Sequence, residues 1–151
     1  MGRFIYRLQS ILEIKEKLEG RARQEYALAV NLLDQELSKL DALTIKKRAY
    51  EDEGKRLLAG ALNVRHIREN EEAIKNMDLF IATQEKIVAD RERRVQQAMW
   101  ELEEVMKERK TYESLREKAL EEFQLEEGRA ESKQVDELTS YTYGLRQKER
   151  N

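Results

Sequence analysis

Few residues in this chain could do chemistry, and their spacing works against it. The proton-transfer candidates are the only histidine, His66, and acidic pairs such as Glu103–Glu104 and Glu121–Glu122. Adjacent residues on a helix point about 100° apart, so such pairs read as a solvated face rather than carboxylates converging on one bond. One histidine and no cysteine argue against a zinc site. No glycine-rich loop that could cradle a phosphate is present. The expectation is a non-enzyme with no catalytic residues, cofactor or metal. What remains is contact chemistry. Trp100 falls opposite an apolar stripe, either as an exposed hot spot or packed with Met99 and Met106 as a widened core. Phe80 and Ile87 widen the same stripe. Arg91, Arg109 and Arg116 interrupt it, either snorkelling from its edge or loosening it.

The elements that must position these residues are long helices. Charged residues make up 40% of 151 positions, with no proline and six glycines, which is the composition of coiled coils. In the second half Ile67, Ile74, Ile81, Val88, Val95 and Leu102 recur every seven residues, and the line reaches Phe123. Asn70, Met77, Gln84, Arg91, Ala98, Val105 and Tyr112 form the alternate line, together a coiled-coil seam. The first half is striped differently, through Ile11, Lys15, Leu18, Ala22, Tyr26, Ala29, Leu33, Leu37, Leu40 and Thr44. Those steps make an eleven-residue repeat, which predicts a straighter helix, and from Leu43 the spacing returns to heptads through Tyr50, Leu57 and Val64.

The pattern fails once, in "GKRLLAGALNVRHIREN". Gly60 is placed to end one helix in the left-handed conformation and Asn63 to cap the next. So short a connection joins antiparallel neighbours. Folding there sets Tyr50 near Ile74, Leu43 near Ile81, Leu33 near Val88, Leu18 near Val105 and Ile11 near Tyr112. The fold class is therefore all-α: one antiparallel coiled-coil hairpin domain over 1–151, with helix 1 about 3–59 and a turn about 60–63. Helix 2 covers about 64–139, with a frayed tail at 140–151. Helix 2 overhangs at its C-terminal end, so past about residue 120 Phe123 and Leu125 have no lid. Phe4, Ile5 and Leu8 begin helix 1 at that same open end and make it rich in apolar groups. Exposed groups of this kind mark a partner site.

Basic and acidic residues number 29 and 31, which argues against nucleic acid as a partner. No run approaches the roughly 20 apolar residues of a membrane span, and no signal peptide is visible at the start. These features predict a cytoplasmic protein without direct membrane insertion.

The opening "FIYRLQSILEIKEKLEGRARQEYALA" resembles the start of the FliJ family of flagellar type III export proteins. "LLAGALNVRHIRENEEAIKNMD" is similar to that family's hairpin crossing. "ESLREKALEEFQLEEGRAESKQVDEL" is similar to its closing run, at Glu131, Lys133, Asp136 and Glu137. The resemblance implies a stalk-like coiled coil for bacterial flagellum biogenesis and motility, peripherally associated with the inner face of the cell membrane at the flagellar base. It implies three partners: the hexameric flagellar export ATPase, the cytoplasmic domain of the membrane export-gate protein, and export chaperones. The ATPase ring would take the open end, with Phe4, Ile5, Leu8, Phe123 and Leu125; the gate would take the middle, with Leu43, Tyr50, Met77, Phe80 and Gln84. Alternatives are an injectisome-type secretion stalk and a generic scaffold or cytoskeletal adaptor coiled coil.

Overall fold

A computed structural model describes residues 2–150. Its two helices are α1, Gln9–Ala59, and α2, Val64–Arg150. They form an antiparallel hairpin in which α2 continues to the C-terminal end, and among the described residues there is no strand. Two compact units divide it: Gly20–Glu104, and Met1–Glu19 with Val105–Asn151.

The Gly20–Glu104 unit contains the turn. Asn63 caps α2, its side-chain oxygen accepting from the His66 amide at 3.3 Å while its carbonyl accepts from the Ile67 amide. Gly60 departs from expectation, since no described residue has positive φ. The chain reverses through bends at Gly60 and Ala61, and the asparagine cap alone starts the next helix. Gly54 has the stricter steric role. A Cβ there would lie 2.7 Å from Asn70 Oδ1, and the Asn70 amide donates to the Tyr50 carbonyl at 2.8 Å. The two helices come close at that layer because one side chain is missing.

Along α2 in this unit the seam follows the predicted line, with Met77, Gln84 and Val88 buried. Along α1 the eleven-residue stripe holds at Ala22, Tyr26, Ala29, Leu33 and Leu40 and fails at Leu37. A line of shielded positions runs through Ala22, Tyr26, Ala29, Leu33, Glu36, Leu40, Leu43, Lys47, Tyr50, Gly54 and Leu57 in alternating steps of three and four. Leu37, which the stripe placed inward, is 41% exposed, and Glu36 takes its place. The Gln84 amide donates to both the Glu36 carbonyl and its carboxylate, and Lys47 pairs with Asp78 at 2.6 Å. Polar side chains occupy seam positions because α2 supplies them with partners.

The other unit repeats the correction. Leu12 is 3% exposed and Glu19 is buried, whereas Ile11 and Leu18 lie outward. Both units thus share a heptad line on α1. Helix 1 also begins later than predicted. Residues 2–6 have no regular secondary structure, residues 7 and 8 form a turn, and the Gln9 amide donates to the Tyr6 carbonyl. At the far end α2 stays helical through the stretch expected to fray. Thr142 donates to the Leu138 carbonyl within it, as in an ordinary helical turn.

Gly20 sits inside α1 with no atom within 4 Å of where a Cβ would stand. Gly20→Ala should therefore raise stability by about 0.5–1 kcal/mol, the helix penalty of an interior glycine. A urea titration comparing the two chains checks this.

Candidate partner interface

Seven amino-terminal residues build the open end. Their burial alternates: Phe4, Tyr6 and Leu8 turn inward while Arg3, Ile5 and Arg7 are exposed. That two-residue period belongs to extended chain, not helix. The Phe4 ring lies 5.5 Å from the Phe123 ring at a 53° tilt, within the range of favourable aromatic pairs. Tyr6 is 9% exposed, and its hydroxyl donates to the Tyr112 carbonyl at 3.0 Å. The Gly2 amide donates to Glu127 Oε1 at 3.2 Å.

Phe123 therefore has an intramolecular lid, contrary to the sequence expectation. The reason is geometric. Extended chain covers about 3.3 Å per residue against about 1.5 Å in a helix, so a short non-helical segment reaches farther along α2. Leu125 remains 61% exposed and Ile5 79% exposed, so these two are the open apolar groups among Phe4, Ile5, Leu8, Phe123 and Leu125. A groove of about 740 Å³ lies between the segment and α2, with Leu115, Ala119 and Phe123 apolar and Glu122 and Glu126 acidic along it.

Charge layers brace the helices behind this end. Arg109 donates to Glu19 through two nitrogens, at 2.7 and 3.2 Å, and to Glu113 at 2.5 Å. These carboxylates hold the guanidinium even more firmly protonated than usual. Lys15 pairs with Glu108 at 2.8 Å and sits 6.0 Å from the Tyr112 ring centre. Arg116 donates to Gln9 and stands 5.7 Å over the Phe4 ring. Arg109 and Arg116, which interrupt the stripe in sequence, are bridges between α2 and the chain before Gly20. A charge-exchange cycle tests this: Glu19→Arg and Arg109→Glu should each lower the melting temperature, and the double exchange should recover part of the loss. Strictly additive losses would show that the pair is not coupled.

In the Gly20–Glu104 unit the mid-chain candidates separate by burial. Met77 and Gln84 are buried in the seam, and Leu43 and Tyr50 are half-buried there. Phe80 is 54% exposed, so it is the one of the five whose side chain faces outward. The Glu36 carboxyl is held below the usual glutamate range, first by the Gln84 hydrogen bond and then by Lys39. Trp100 is 57% exposed and Met99 is exposed beside it, so neither packs into a widened core. His66, Glu103, Glu121 and Glu122 are exposed, the acidic pairs standing on different faces as the helical period requires. No helix among the described residues is long and apolar enough to cross a membrane.

Three comparisons agree with this architecture. The family model described as "Flagellar FliJ protein" matches residues 4–148. A Bacillus subtilis (strain 168) protein of that same description is 28% identical over 134 residues, covering 89% of this chain and 91% of the relative. A solved Chlamydia trachomatis structure described as a YscO homolog superposes with a TM-score of 0.60 at 21% identity, covering 97% of this chain and 99% of that one. At that identity the likeness speaks for the fold. The family match spans nearly the whole hairpin, from Phe4 at the open end through the turn and along α2. This chain belongs to the flagellar FliJ protein family.

Proposed function

We propose that this chain is a non-enzymatic coiled-coil component of the flagellar type III export apparatus. It binds the hexameric export ATPase and the cytoplasmic domain of the export-gate protein, and assists export and chaperone cycling from the cytoplasmic face of the membrane. The observation that carries the reading is the FliJ-family match over residues 4–148, on a hairpin whose exposed apolar groups are not absorbed by its own seam.

The ATPase contact is assigned to the open end, with Ile5 and Leu125 as the accessible groups and the Phe4–Phe123 pair as their support. Gate contact is assigned to Phe80. Leu43, Tyr50, Met77 and Gln84 shape the helix pair beneath it instead of touching the partner directly. The test uses purified export ATPase and a purified gate cytoplasmic domain. Ile5→Ala with Leu125→Ala should leave helicity intact and weaken ATPase binding at least tenfold, while Phe80→Ala should weaken only gate binding. Unchanged affinity of both variants for both partners would sink the assignment.

A further inference from the structure

Residues 3–8 carry two periodicities at once. In the structure the two-residue period is used, with Phe4, Tyr6 and Leu8 inward. The heptad line of α1 runs back from Leu12 through Leu8 to Ile5, by steps of four and three. That second line is unused at Ile5, which is 79% exposed. The segment contains no proline or glycine to forbid a helix.

Nothing at the start of α1 enforces the present boundary. The Leu8 carbonyl accepts the first helical bond, from the Leu12 amide, so Leu8 stands at the N-cap position. Leucine has no side-chain acceptor and ranks among the poorest caps. The first turn of α1 carries no acidic residue either. By contrast, Asn63 fixes the start of α2 with a side-chain hydrogen bond. What holds residues 3–8 out of the helix is tertiary: the Phe4–Phe123 contact, Arg116 over the Phe4 ring, and the Tyr6 hydroxyl on the Tyr112 carbonyl.

We propose that residues 3–8 are a two-state segment, extended over α2 in one state and a helical continuation of α1 in the other. Conversion exchanges the inward pair Phe4 and Tyr6 for Ile5, while Leu8 faces inward in both states. It also shortens the segment, since the residues ahead of the turn, 3–6, span about 13 Å extended and about 6 Å as helix. The shortened segment no longer reaches Phe123, so conversion opens the apolar surface that the extended state covers. Any partner that binds Phe123 favours the helical state by its differential affinity alone.

The test reads backbone 13Cα shifts at residues 3–8 in the full chain. Phe4→Ala with Tyr6→Ala removes the tertiary anchors, and the shifts should then move to helical values. Adding Ile5→Gly to that variant removes the heptad anchor and should return the shifts to random-coil values. Two results overturn the proposal. One is random-coil shifts in the Phe4→Ala, Tyr6→Ala chain, which would mean the segment has no second structured state. The other is helical shifts that survive Ile5→Gly, which would mean the helix does not use the heptad line. Unchanged shifts at residues 30–60 serve as the check that the hairpin itself is folded.

Discussion

Val88→Asp should destabilise the protein by about 3–4 kcal/mol, whereas Ile87→Asp, one residue away, should cost about 1 kcal/mol or less. Both replace an aliphatic residue of α2 by the same acid. Val88 is 6% exposed in the seam, while Ile87 is 38% exposed beside it. The about 100° between neighbours on a helix separates them. An aspartate at 88 would have to shed water against the aliphatic surface of α1 with no designed partner, or take up a proton. An aspartate at 87 keeps its hydration. Urea unfolding followed by helical circular dichroism reads both, and equal losses would refute the seam register in the Gly20–Glu104 unit.

Leu12→Ala is the corresponding experiment for the other unit. Leu12 is 3% exposed, with Lys15 and Glu19 as the next seam positions on its helix. Removing its buried methyl groups should cost about 2–3 kcal/mol, toward the low end for leucine because a two-helix seam can close on the gap. Ile11→Ala removes the same number of carbons from an outward position, 37% exposed, and should cost under about 1 kcal/mol. The apolar stripe read from sequence predicts the opposite order, since it runs through Ile11. Denaturant midpoints of the two variants therefore distinguish the stripe from the heptad line. A Leu12→Ala chain as stable as the parent would remove the case for the heptad line near the open end.

Why did α2 reveal its register in sequence while α1 concealed it? Seam positions of α2 in the first half of the helix are mostly β-branched or aliphatic, so the seven-residue period stands out against a charged background. On α1, four seam positions are Lys15, Glu19, Glu36 and Lys47. Read alone, Glu19, Glu36 and Lys47 look like surface, and the nearby Ile11, Leu18 and Leu37 draw the stripe off by one residue. The charged four are tolerable because Glu108, Arg109, Gln84 and Asp78 meet them from α2. A pairing satisfied across two helices has no signature within either one.

The sequence by itself determined the all-α class, the hairpin, the turn at its position, the Asn63 cap and the α2 seam. Each of these follows from local chemistry: helix propensity, a side-chain acceptor at a helix start, or a period repeated along one segment. The tertiary structure alone decided the α1 register before Leu43, the extended amino-terminal segment over Phe123, and which mid-chain residues face outward. It also decided that Gly54, not Gly60, is the glycine with a steric task, because only the approach of Asn70 from α2 fills the space where its Cβ would be. Residues 3–8 show the division most plainly, since their sequence carries both a two-residue period and the continuation of the α1 heptad line. The contacts with Tyr112, Arg116 and Phe123, more than a hundred residues away, select between the two.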